Sequence, residues 1–122
     1  MQINEQTAKR LWFERYGDVS QVQDLTGRWI YFDDYNNRTR QRNTTSGTHA
    51  NFGWNIHHKQ PLAKGGTNDP LNLEIVYIGT NDEAEDKTSF VIKDIVYEVR
   101  RIKRPEYGIY IKGTDQRVDW HR

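Results

Sequence analysis

His57 and His58 stand side by side in the stretch GWNIHHKQPLAKGGTNDPLNLEIV, residues 53–76, of a 122-residue chain that holds only four histidines. Neighbouring side chains on an extended strand point to opposite faces. The two imidazoles therefore cannot both be core, and they are poorly placed to chelate one metal together. If the pair works as a unit, one ring faces a metal and the other faces a substrate. Metal-assisted phosphodiester hydrolysis has that division of labour. One group holds a divalent ion that stabilises charge on the phosphate and on the leaving oxygen. A second, titrating near neutrality, takes a proton from the attacking water. A third holds the base in its working tautomer. His49 and His121, isolated in polar surroundings, read as solvated.

The segment WNIHHKQPLAKGGTNDPLNL followed by NDEAEDK resembles the HNH endonuclease motif, which sits on the ββα-metal fold. The shared pattern is an acid or histidine followed by histidine, then proline, a glycine pair, Asn-Leu, and a last Asn or His on a short helix. The resemblance covers residues 54–87 and reaches more weakly to the hairpin-like DLTGRWIYFDDY before it. It implies a metal-dependent DNA endonuclease of phage or mobile-element type.

Carried over residue by residue, the resemblance makes His57 the first metal ligand and Asn81 the second, with His58 as general base. Asn72 would constrain the loop and help to orient the base. Lys87 would approach a phosphate, and Gly65-Gly66 would let the loop turn back. One divalent ion is implied, with Mg2+, Mn2+, Zn2+ and Ni2+ all open, because an imidazole and an amide oxygen form a softer donor pair than a carboxylate and an amide. DNA would reach the site along the basic loop of Arg38, Arg40 and Arg42, through phosphate contacts that carry no sequence information.

These residues need elements to hold them. Asn4 is a fair N-cap for a helix over residues 5–16, with Ala8, Leu11 and Trp12 at helical spacing and Gly17 placed to stop it. Asp24-Leu25-Thr26-Gly27 reads as a tight turn between SQVQ and RWIYF, hence a short hairpin. Residues 36–53 are polar, basic and rich in Asn, Thr and Gly, and read as a long loop. WNIHH suits a strand, KQPLAKGGTNDP must be loop, and LNLEIVYI is a strand or a lead into a helix. Thr80 as N-cap favours a short helix over 81–87, whose first turn is acidic. SFVIKDIVYEVRRIK and YGIYIKGTDQRVDW predict two or three antiparallel strands, with a turn at Lys112-Gly113-Thr114-Asp115. The expected fold is α+β: a ββα-metal core with an N-terminal helix and hairpin and C-terminal antiparallel strands. It reads as a single domain over 1–122, divided into 1–53, the motif at 54–87, and 88–122.

Bulk composition bounds the alternatives. Four Trp, seven Tyr and four Phe are too many for a disordered chain and can fill a modest core despite 29% charged residues. A formal net charge of +1 does not by itself announce a nucleic-acid binder. Distribution matters more: Arg100, Arg101, Lys103 and Arg104 form a second basic run, and Asp82, Glu83, Glu85 and Asp86 an acidic one. The absence of cysteine excludes disulfides and cysteine-ligated zinc. No stretch is apolar enough for a signal sequence or a bilayer span, so the expected location is cytoplasmic, with no membrane partner. A second reading, from another class, is a binding protein with weak or unused catalysis. It would act as a DNA-binding accessory or as a phage inhibitor of a host nuclease complex, with a host or phage protein complex as partner.

Overall fold

The computed structural model describes residues 3–121. Helix α1 runs Glu5–Tyr16. The Asn4 side chain caps it by accepting from the Thr7 N–H at 2.8 Å, and Gly17 ends it at φ 78°. Its Ala8, Leu11 and Trp12 are buried against β2 (Trp29–Tyr31), β5 (Trp54–His58) and β6 (Leu73–Tyr77). Trp12 meets Trp54 at 4.9 Å and Phe32 at 5.5 Å between ring centroids. Aromatic packing thus supplies the bulk that the low aliphatic content withholds.

Strand β1 (Gln21–Gln23) pairs with β2 around the Asp24–Gly27 turn. Strands β3 (Arg42–Asn43) and β4 (His49–Ala50) make a second small hairpin inside the segment expected to be loop. β5 and β6 pair antiparallel, Trp54 opposite Tyr77 and His58 opposite Leu73. Helix α2 (Ile78–Ala84) follows β6 directly. Strands β7 (Ser89–Ile92), β8 (Ile95–Lys103) and β9 (Glu106–Ile111) form a three-stranded antiparallel sheet in that order. Its Phe90, Ile92, Tyr97 and Ile109 close a second apolar cluster with Ala84 of α2.

The expected α+β class on a ββα-metal core is overturned. The described residues form a small mostly-β domain, 34% strand against 24% helix, built from several small antiparallel sheets, and among them no ββα-metal core is shown. The largest sheet is the C-terminal one, made of segments expected only to flank the motif. The helix expected over 81–87 is a seven-residue helix three positions earlier. Thr80 does not cap it. Its hydroxyl, inside the helix, donates to the buried Asp24 carboxylate at 2.7 Å, and the same carboxylate accepts from the Tyr77 N–H at 3.0 Å. Asp24 thereby ties the β1–β2 turn to the start of α2, a long-range contact that local capping signals cannot report. Among the described residues no helix is long and apolar enough to cross a membrane.

The C-terminal end is held to the β5–β6 pair by charge. Lys59, one residue past β5, is buried, and its ammonium meets Asp119 at 2.5 Å and the Tyr107 carbonyl at 3.2 Å. Asp119 also accepts from Arg117 and from the Ile109 N–H. Glu74, opposite His57 in register, is buried between Arg15 and the Trp120 N–H.

Candidate functional site

The two histidine rings leave β5 on opposite faces, as the strand geometry requires. His57 is buried on the side of α2 and the C-terminal sheet, with Phe90 edge-on at 6.1 Å. His58 is half-buried on the other side. Both nonetheless line one cleft of about 360 Å³ at the end of the strand, together with Leu62, Asn81, Glu85 and Asp86. His58 also lines a second hollow of about 390 Å³ with Tyr35, Asn36 and Asn55.

His57 and Asn81 are brought together. Nδ1 of His57 lies 2.7 Å from Asn81 Oδ1. An amide oxygen only accepts, so Nδ1 carries the proton in this state. The Asn81 amide cannot turn freely, because its Nδ2 donates to Asn55 Oδ1 at 3.0 Å and to the Ile56 carbonyl at 3.4 Å. His57 Nε2 is buried with no hydrogen-bond partner. Burial holds the His57 pKa below its ordinary value, although the Asn81 bond works against that shift. The ring is therefore neutral near pH 7, the form a metal ligand needs.

His58 is oriented by a residue the sequence reading did not single out. Its Nε2 lies 2.7 Å from Asn68 Oδ1. A neutral ring that donates through Nε2 keeps its lone pair on Nδ1. Asn72, expected to orient the base, acts one step further back. Fully buried, it accepts from the Gln60 N–H at 2.8 Å and donates to the carbonyls of Gln60 and Thr67 at 3.1 and 2.8 Å. It fixes the loop that carries Asn68. Gly66 is needed there because a Cβ would lie 1.8 Å from the Gln60 carbonyl oxygen, and Gly65 takes φ 91°. Nothing local marked Asn68 within the polar and glycine run of residues 64–69.

The expected phosphate contacts are all in ion pairs. Arg42 makes two bonds to the fully buried Asp34, at 2.8 and 2.9 Å, and covers the Tyr31 ring. Arg40 reaches the same carboxylate at 3.4 Å. Arg38 pairs with Asp82 on α2, whose carboxyl it holds below the usual range, and Lys87 pairs with Glu85. Arg42 thus stands in an ion pair with a buried carboxylate. Arg38 and Lys87 are exposed beside the helix that walls the cleft.

Two donors of the type expected for a divalent ion are present. A metal with bonds of about 2.1 Å at right angles separates adjacent ligand atoms by roughly 3 Å. Seating an ion across the 2.7 Å between His57 Nδ1 and Asn81 Oδ1 needs only a small opening and a shift of the ring proton from Nδ1 to the unpartnered Nε2, which keeps the imidazole neutral. The pair fits as a partial, neutral ligand set. Among the described residues no group of three or more His, Cys, Asp or Glu side chains is placed to hold a metal. Compared with protein-family models, curated proteins and solved structures, the chain matches none.

Proposed function

We propose that the chain is a metal-dependent DNA endonuclease of HNH type, hydrolysing phosphodiester bonds with His58 as general base. The observation that carries this reading is one cleft lined both by a ring whose tautomer is set, His58 on Asn68, and by a neutral donor pair, His57 and Asn81. His57 and Asn81 would hold the divalent ion, which when bound stabilises the charge that develops on the scissile phosphate. His58 Nδ1 takes a proton from water as the water oxygen bonds to phosphorus and the phosphorus–oxygen bond to the leaving alkoxide breaks. The alkoxide is then protonated from solvent. Asn68 keeps the His58 lone pair on Nδ1 throughout, and Asn72 keeps Asn68 in place. Arg38 and Lys87 exchange surface carboxylate partners for DNA phosphates, an exchange that sacrifices little because exposed pairs contribute only about 0–1 kcal/mol. On this reading the activity is cytoplasmic.

A second reading is binding without catalysis, as a DNA-binding accessory protein or an inhibitor of a host or phage protein complex. It draws on the acidic rim that Glu85 and Asp86 give the cleft.

The test is cleavage of supercoiled plasmid with Mg2+, Mn2+, Ni2+ or Zn2+ in turn, with calorimetry of the same ions. The expected result is nicking that a chelator abolishes, and one metal site that His57→Ala and Asn81→Ala both weaken. Metal binding without cleavage under any ion would favour the second reading.

A further inference from the structure

The second basic run takes no part in the site, and its surroundings differ from those of the first. Arg101, Ile102, Lys103 and Arg104 are all exposed at the closed end of the β8–β9 hairpin. Arg100, next to them, is occupied by Glu98 and Asp115. Glu106, opposite Lys103 in register, is drawn off to Arg117 at 3.0 Å and does not neutralise Lys103. Among the described residues no carboxylate pairs with Arg101, Lys103 or Arg104. The register shifts between Arg101 and Lys103, a bulge of the kind that re-aims side chains at the end of a ribbon. The chain's formal net charge is only +1, so without these three cations the remainder carries −2. Arg10, Lys64, Lys93 and Lys112 are also exposed without a carboxylate partner among the described residues, but they stand singly along the chain, whereas the arm gathers three such cations within four residues.

The arm is rooted beside the site. The Tyr107 carbonyl, at its base, accepts from Lys59, the residue after His58. From Tyr107 to Arg104 the chain spans at most about 10 Å. A duplex, whose major groove alone is about 12 Å wide, is broad enough to meet both the arm and the cleft. Ile102 is the one exposed large apolar side chain among the three cations, too little apolar surface for insertion into lipid.

We propose that the end of the β8–β9 hairpin is a phosphate-contacting arm for double-stranded DNA, with Arg101, Lys103 and Arg104 as its contacts. This rests on DNA being the substrate, as proposed above. It also moves the main nonspecific contact away from Arg40 and Arg42, which the fold keeps on the buried Asp34, and leaves Arg38, exposed beside Asp82, as a lesser one.

The experiment is metal-free binding to a duplex of about two helical turns over a range of salt, so that cleavage plays no part. Replacing all three cations by Ala should lower the slope of log K against log salt by about 2.7, that is about 0.9 for each lost phosphate contact. Arg101→Lys with Arg104→Lys should keep the slope, and Arg42→Ala should leave it unchanged. A triple variant with a native circular dichroism spectrum and an unaltered slope overturns the proposal. So does a triple variant that loses binding to anionic phosphatidylserine vesicles while its DNA slope stays the same. An intact arm effect in a protein that cuts no plasmid would refute only the nuclease reading.

Discussion

Asp119→Ala removes the counterion of a buried ammonium only three residues from the end of the sequence. The Asp119 side chain is wholly buried and that of Lys59 is 1% exposed. Burial alone would raise the Asp119 pKa, but Arg117 and Lys59 more than offset it and hold the carboxyl below its usual range. Without the carboxylate, Lys59 retains only the carbonyls of Tyr107 at 3.2 Å and Leu71 at 3.5 Å. The Ile109 N–H also loses its acceptor, and Arg117 loses its bonds to Asp119 while keeping Glu106. Breaking a buried pair from one side costs about 3–5 kcal/mol. That is a large part of the 5–15 kcal/mol typical of a whole domain. With a urea m-value of about 2 kcal/mol/M, the unfolding midpoint should fall by about 2 M. Equilibrium urea unfolding followed by tryptophan fluorescence reads this directly. A midpoint within about 0.3 M of the parent would refute the claim that this pair fastens the C-terminal sheet to β5.

Two further outcomes follow from the buried polar groups. Burial pushes the Glu74 carboxyl up to about 7, against the pull of Lys59, the Trp120 N–H and Arg15. A carboxyl whose pKa is raised in the folded state favours folding most below its unfolded value near 4.5, and that contribution is lost as pH rises to about 7. Stability should therefore decline across that window by about 3 kcal/mol from this group, and urea unfolding at pH 5 and pH 8 should show the decline in the parent and its loss in Glu74→Gln. Asn72→Ala removes three buried hydrogen bonds from the loop carrying Asn68, at about 1 kcal/mol each, and should lower both stability and cleavage. A variant as stable as the parent would show that the loop holds its shape without Asn72.

Much of the local structure was legible because its signals are local. Asn4, the Ala8–Leu11–Trp12 stripe and Gly17 delimit α1, which runs Glu5–Tyr16. The Asp24–Gly27 turn and the WNIHH strand are where the residue types place them. The C-terminal strands and the turn near Gly113 also follow from β-branched and aromatic runs broken by Gly and Asp. What failed depended on distant partners. Thr80 carries the chemistry of an N-cap, but Asp24 lies 56 residues away and takes its hydroxyl. The Arg38–Arg42 run reads as free charge until Asp34 and Asp82 are brought against it. Lys59 reads as loop surface, yet it is buried by a carboxylate 60 positions on. At the site, the pairing of His57 with Asn81 was legible through the resemblance. Asn68 was not, since one asparagine in a polar loop looks like any other turn residue.

The central claim is that His58 is the base and His57 is not. The most direct measurement is the single-turnover rate of plasmid cleavage by His58→Ala at saturating metal, with metal affinity measured on the same preparation. The account predicts a loss of about a hundredfold or more in rate with metal binding nearly intact, whereas His57→Ala loses both. Full cleavage by His58→Ala, or a loss of metal as complete as in His57→Ala, would contradict it.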